Sequence, residues 1–280
     1  MERLVLEFKE IDRKTRQRRY SSYLLLVFVV YFLLSCDSTE SSTSQLAPIE
    51  EYQVPEHLEV YYDGVDFSLK ANNLYDALAV QTISRHTNFL SYADRHKFLY
   101  DADADPNDSS NVVLIYSGER RDRREWSSPN NPHPTQTFNT EHVYPQSLLE
   151  GASVSDLHIL RVVDARINSQ RSNRPYARGT GKYALQDGFT FFPGDDWRGD
   201  VARMIFYVNM RYDEPFEDVG SLKLFLEWNA EDPVSPLERQ RNDVIEGAQN
   251  NRNPFIDNPH LATAIWGGPP AQNLWEPMAE

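Results

Sequence analysis

Glu141 and His142 stand side by side in the stretch Phe138–Asn173, FNTEHVYPQSLLEGASVSDLHILRVVDARINSQRSN, which also holds Asp156, His158, Asn168 and Gln170. Residue types of this kind suit cleavage of a phosphodiester. That reaction needs a deprotonated water, charge stabilisation at the phosphoryl oxygens and help for the departing 3′ oxygen. A neutral histidine can take the water's proton near pH 7. One hard cation of the Mg²⁺ kind, bound through one or two protein oxygens, can do the rest while keeping positions open for substrate and water. Glu141 offers a carboxylate, Asn168 a second oxygen and Gln170 a neighbouring amide. Zinc fits poorly, because there are no cysteine ligands and the spacing is not H-E-x-x-H. A bare Glu-His pair is usually structural; the ordered set within one short unit gives it weight.

The pattern around these residues predicts strand, loop, strand and helix. Phe138–Val143 alternates loosely, Leu148–Ser155 is a turn-rich connection, Leu157–Val163 is apolar and branched, and Asp164–Ser172 is polar and compatible with a helix. Such a unit can hold one cation between a strand and a helix. It also makes a demand: neighbours on a strand point to opposite faces, so Glu141 and His142 share a centre only through a bulge or twist.

Elsewhere the periodicity is mostly helical. Helices are expected over Leu69–Thr87, Phe89–Tyr100, Gly199–Tyr212 and Ser221–Trp228. Another starts at the capping box Ser235-Pro236-Leu237-Glu238 and runs to Gln249, and a last one opens at Asn258-Pro259 toward Ile265. Glu56–Ser68 is expected to be extended or turn, Asp101–Asp108 a solvated acidic turn, and Val112–Tyr116 a buried strand. His86 and His96 read as packing or surface residues, since neither has a partner at ligand spacing. Helices outnumber strands, which makes the class α+β.

The chain of 280 residues carries a formal net charge of −14, with a pI near 5.0. An acidic total argues against a nucleic-acid partner, but binding needs only one basic face. From His158 to Lys182 there are six basic side chains, Arg161, Arg166, Arg171, Arg174, Arg178 and Lys182, against the single acid Asp164. That local charge of +5 points to a polyanionic substrate. Glu119–Glu125 adds four arginines among three acids, readable equally as a solvated charge run or as phosphate contacts.

The N-terminal segment reads as an address. Met1–Tyr20 is basic, Tyr23–Leu34 is apolar, and Leu33-Leu34-Ser35-Cys36 resembles a bacterial lipoprotein box at the single cysteine of the chain. Twelve helical residues rise about 18 Å, too short for a ~30 Å hydrocarbon core. The expected organisation is a signal peptide over residues 1–35, a tether over 36–55 after a lipidated Cys36, and one domain over 56–280. Removing residues 1–35 takes away seven basic and four acidic side chains and leaves a net charge of −17. The corresponding location is outside the cytoplasm on a bacterial membrane, with free secretion as the runner-up.

Taken together, these segments resemble the bacterial endonuclease I family of secreted or periplasmic nucleases. The resemblance runs through NTEHVYPQSLL and SDLHILRVVDARINSQRSNRPY and continues in GDVARMIFYVNMRY, LEWNAEDPVSPLERQRNDVIEGAQNNRNPFID and NPHLATAIWG. It begins near Leu74 with LYDAL, LSYAD and VLIYSGE, and so covers most of residues 70–266. It implies a mainly helical single domain around a ββα-metal, or His-Me finger, core with a small antiparallel sheet. It also implies a monomeric endonuclease of little sequence preference that cuts DNA, and often RNA, to 5′-phosphate ends. In that family's terms His142 corresponds to the general base, and Glu141 and Asn168 to the ligands of one Mg²⁺, Ca²⁺ or Mn²⁺ ion. Arg161 or Arg171 is the arginine expected on the scissile phosphate, while Asp156 and His158 orient the hairpin. Arg166, Arg174, Arg178 and Lys182 are the expected nucleic-acid contacts. The mature chain has no cysteine where some members carry disulfides. Two other readings remain: a catalytically silent nucleic-acid-binding or uptake lipoprotein on the same fold, and a metal-independent hydrolase using paired carboxylates.

Overall fold

Asp164 ends one strand and begins one helix, and this junction carries the central unit. The structure, a computed structural model, describes residues 52–149 and 151–275. In it strand β4 (Phe138–His142) pairs antiparallel with β5 (Leu160–Asp164), and helix α4 (Ala165–Arg171) follows at once. The Asp164 side chain makes this possible. Its Oδ1 accepts hydrogen bonds from the backbone N–H groups of Arg166 (2.8 Å) and Ile167 (3.2 Å), satisfying donors that a helix start leaves open.

Two further small antiparallel sheets lie among the described residues. One joins β1 (Ala104–Asp105), β2 (Asp108–Val113) and β3 (Arg120–Asp122); the other is the hairpin of β6 (Ala184–Gln186) and β7 (Thr190–Phe192). The chain past β2 runs beside β5, where the Ile115 N–H donates to the Val162 carbonyl at 2.9 Å.

Helices supply most of the packing. Preceding the central unit are α1 (Glu56–Tyr62), α2 (Ala71–Arg85) and α3 (Arg95–Ala102); following it are α5 (Arg198–Tyr212), α6 (Leu222–Glu231), α7 (Pro236–Gln249), α8 (Pro254–Asp257) and α9 (His260–Trp266). Helix α5 is the hub. Val201, Met204, Ile205 and Val208 recur at helical spacing, all are buried, and the helix packs on α2, α6 and α8. Helix α7 starts at the expected capping box: the Glu238 N–H donates to Ser235 Oγ at 3.2 Å and the Ser235 N–H to Glu238 Oε2 at 2.9 Å. The α+β class therefore holds.

Three local expectations change. Glu56–Ser68 contains helix α1 rather than extended chain, because Leu58, Tyr61 and Tyr62 form one buried stripe that packs with Phe67 and Trp275. Tyr62 also donates to Asp257 Oδ2 at 2.7 Å, tying that helix to a distant part of the chain. The Asp101–Asp108 stretch is not a solvated turn: Asp103 is buried against Arg161 and Arg241, and Asp105 pairs with Arg120. The strand expected at Val112–Tyr116 is shifted toward the N-terminus, to Asp108–Val113. The leader, Cys36 and most of the tether lie outside the described residues. Among the described residues no helix is long and apolar enough to cross a membrane.

Candidate active site

The β4–β5 ladder is regular from Phe138↔Asp164 to His142↔Leu160, so no bulge turns Glu141 and His142 to one side. The two side chains leave the strand on opposite faces, each into its own setting. Glu141 shares its face with Asn139, two residues earlier.

On that face Glu141 is buried. Tyr116 Oη donates to its Oε1 at 2.8 Å, Arg171 Nε lies 3.5 Å from the same oxygen, and Tyr176 Oη stands 2.8 Å from Tyr116 Oη. Burial pushes the Glu141 carboxyl up, against the downward pull of Arg171 and Tyr116. Asn168, on the fourth residue of α4, reaches the same face. Its Nδ2 donates to Asn139 Oδ1 at 2.8 Å and to the Thr140 carbonyl at 3.1 Å. A carbonyl can only accept, so the atom beside Thr140 is the amide nitrogen and the carboxamide oxygen is turned away from the strand.

His142 enters a different environment. Its Nε2 is 3.0 Å from the carbonyl oxygen of Val154 in the loop between the strands, and its ring stacks on Tyr92 at 5.5 Å with 25° between planes. The carbonyl again accepts only, which puts the ring proton on Nε2 and the lone pair on Nδ1. Burial lowers the His142 pKa to about 4, with the Arg95 and Arg171 charges acting in the same direction and the Val154 bond opposing them. The imidazole is neutral at pH 7, as a general base must be.

The loop that carries Val154 is fastened two residues further on, at Asp156. Asp156 Oδ2 accepts from Tyr207 (2.6 Å) and Tyr212 (2.8 Å), and Oδ1 from Gln249 Nε2 (2.8 Å) and the His158 N–H (2.9 Å). His158 Nε2 in turn contacts the Asn251 carbonyl at 3.1 Å. Asp156 and His158 thus tie the hairpin loop to α5, α7 and the segment after α7. His86 and His96 are packing residues: His86 stacks on Phe89, and His96 sits between Tyr100 and Trp126.

Neither arginine expected on the phosphate is free to hold it. Arg161 is fully buried between Asp103 and Asp200, at 2.8 Å from each, because β5 runs through the core there. Arg171 is equally buried. It donates to the carbonyls of His142 (3.2 Å), Val143 (2.7 Å) and Ser172 (3.0 Å), and its guanidinium lies 4.7 Å from the Tyr176 ring centre. It fastens the end of β4 to α4 and neutralises Glu141. The Glu119–Glu125 run is also paired internally or to nearby acids, with Arg120 on Asp105, Arg121 on Glu119 and Asp164, Arg123 on Asp101, and Arg124 on Asp122. Of the expected nucleic-acid contacts, Arg166 and Lys182 are exposed. Arg174 is bound by the Gly188 and Gln170 carbonyls, which leave its charge intact, and Arg178 pairs with Glu227.

Glu141 and Asn168 offer the oxygen-donor types that a hard divalent ion takes. Among the described residues no three His, Cys, Asp or Glu side chains cluster as a metal site. The candidate donors are instead the Glu141 carboxylate, which already faces Arg171, and the Asn168 carboxamide oxygen, which is turned away from the strand.

Comparison with known proteins gives the family. The sequence profile of the Endonuclease I family matches residues 70–260. The chain belongs to the endonuclease I family. Its endonuclease I relatives include the protein named extracellular ribonuclease from Bacillus subtilis (strain 168), 35% identical over 258 residues that cover 83% of this chain and 86% of the relative. The extracellular ribonuclease of Bacillus amyloliquefaciens is 34% identical over 235 residues, covering 74% and 78%. A shorter match, 30% over 111 residues and 36% and 44% of the two chains, is to endonuclease-1 of Buchnera aphidicola. As an endonuclease I family member the protein is a nucleic-acid hydrolase, and divalent-metal dependence is general in that family. Tyr92, Arg95, Tyr116 and Tyr176 carry parts of the site that the residue-by-residue reading passed over. The three tyrosines lie in the family segments LSYAD, VLIYSGE and NRPY, and Arg95 directly follows the first of them; none has chemistry of its own until the fold brings them together.

Proposed function

We propose that this endonuclease I relative is a divalent-metal-dependent endonuclease, acting outside the cytoplasm on RNA and DNA with little sequence preference. The observation that carries this reading is the His142 imidazole: neutral at working pH, oriented by Val154, with Nδ1 as its basic atom. A water hydrogen-bonded to Nδ1 gives up its proton to that nitrogen while its oxygen attacks phosphorus. The bond from phosphorus to the 3′ oxygen breaks, the phosphate stays on the 5′ oxygen of the downstream nucleotide, and the leaving 3′ oxygen takes a proton from solvent water. Glu141 and Asn168 would hold the divalent cation, which supplies charge neutralisation for the phosphoryl and leaving oxygens. Because Glu141 and His142 leave β4 on opposite faces, their joint use requires the phosphodiester to reach round the strand end at His142. Tyr116 and Arg171 keep the Glu141 carboxylate in place, and Arg171 fixes the strand end from which His142 projects.

The exposed Arg166 and Lys182, with Arg174, favour a polyanion on the side of α4 and the segment after it, inside a chain that is otherwise acidic. The relatives named extracellular ribonuclease support RNA as a substrate and an external location. Attachment to a membrane through Cys36, after removal of residues 1–35, completes the proposal; Cys36→Ser should release the protein from the membrane fraction.

The test is cleavage of plasmid DNA and of a structured RNA, with and without EDTA, by the wild type and by His142→Ala. Cleavage should stop in EDTA and with the variant. Activity surviving both treatments would sink the mechanism, and a wild type that binds but never cuts would identify a silent binder.

A further inference from the structure

Phosphoryl transfer needs a cationic side chain on the nonbridging oxygens in addition to a metal, and the structure has removed both arginines that position in the chain suggested. A different one stands beside the base. Arg95, the first residue of α3, is half-buried and donates from Nε to Thr140 Oγ1 at 3.1 Å. Thr140 lies two residues before His142 on β4, so the two share a face of the strand.

Tyr92 completes the arrangement. Arg95 Nη1 donates to the Tyr92 carbonyl, its guanidinium carbon lies 3.8 Å from the centre of the Tyr92 ring, and that ring stacks on His142. One aromatic side chain therefore touches both the cation and the base. Stacking on a ring and bonding to a hydroxyl and a carbonyl orient the guanidinium without cancelling its charge. Among the described residues no carboxylate pairs with Arg95, whereas the arginines of the Glu119–Glu125 run, Arg161 and Arg178 all have one. An uncompensated, pre-oriented guanidinium next to a neutral imidazole is an anion site.

We propose that Arg95, set by Thr140 and Tyr92, binds the phosphodiester that His142-activated water attacks. The inference rests on the nuclease reading above, and its test separates the two. In one arm, kcat and KM of wild type, Arg95→Gln and Arg95→Lys are measured on a short single-stranded oligonucleotide. Arg95→Gln should lower kcat about a hundredfold, the scale seen when one transition-state donor is removed, and Arg95→Lys should recover part of it. In the other arm, binding of the same oligonucleotide is followed against salt in a His142→Ala background. Adding Arg95→Gln should reduce the slope of log affinity against log salt by about 0.7, the value for one phosphate contact on a single strand. A kcat within threefold of wild type overturns the proposal. So does an unchanged salt slope accompanied by a lowered melting temperature, which marks a structural residue. If the wild type does not cut but the slope still falls, the phosphate contact stands and the nuclease reading fails.

Discussion

The Nε2 atom of His142 lies 3.0 Å from the carbonyl oxygen of Val154, twelve residues away across the loop that joins the two central strands. This one contact chooses the tautomer, leaves Nδ1 basic, and couples the ring to the network that holds Asp156. The loop that looks like a mere connection is therefore what points the base.

The pH dependence of cleavage follows from that setting. Burial depresses the His142 pKa to about 4 from an ordinary 6.5, so the neutral, active ring persists well into acid. kcat/KM should stay level from neutrality down to about pH 5 and then fall with the uptake of one proton, at saturating metal. An inflection near 6.5 in the pH–rate profile would show that the ring is solvated and not held as described.

Stability should be lost over a wider acid range. His158, fully buried, also has its pKa lowered to about 4 by burial, despite the opposing pull of Asp156. A histidine with a depressed folded pKa binds fewer protons folded than unfolded between about 4 and 6.5. Its stabilisation is complete above 6.5 and declines as the pH falls toward 4, by about 1.4 kcal/mol per pH unit for each such group. Urea titrations from pH 7 to 4.5 should show this slope, and His158→Gln should reduce it by one proton's worth. An unchanged slope in the variant would place the effect elsewhere.

Glu141→Gln should keep the fold while weakening the ion. The glutamine can still accept from Tyr116, but the buried charge that Arg171 faces at 3.5 Å is gone. Activity should drop at least a hundredfold at low metal, and the metal concentration for half-activity should rise tenfold or more, on the scale of changes in ligand surroundings. Asn168→Ala should shift the same metal titration. A variant with reduced kcat but an unaltered metal requirement would remove Glu141 from the donor set.

Much of this was readable from the chain. Asp164 announced itself as the start of a helix, and the spacing of Val201, Met204, Ile205 and Val208 announced a core helix, because short-range rules govern caps and stripes. That Glu141 and His142 lie on a strand adjoining the helix of Asn168 was legible for the same reason: strand, loop and helix follow one another in sequence. The basic run was not. Counting six cations between His158 and Lys182 could not show that Asp103 and Asp200, 58 and 39 residues away, neutralise Arg161, or that backbone carbonyls consume Arg171. Helix α1 escaped for a similar reason, since its apolar stripe is stabilised by Trp275 at the far end of the chain.

Arg161 gives the sharpest separation of structure from chemistry. Burial and the nearby Glu238 push the Asp200 carboxyl up, and the Arg161 charge 2.8 Å away is what opposes them. Removing the arginine leaves Asp200 without this partner and Asp103 with Arg241 alone. Breaking one side of a buried ion pair costs about 3–5 kcal/mol, which for a domain of this size lowers the melting temperature by about 10 °C. Arg161→Ala should therefore melt earlier yet cut nucleic acid, per folded molecule and well below its melting point, within about threefold of wild type. Arg161→Met, which refills the volume, should recover part of the lost stability. A variant that melts normally and loses kcat a hundredfold would return Arg161 to the phosphate and contradict its burial between the two aspartates.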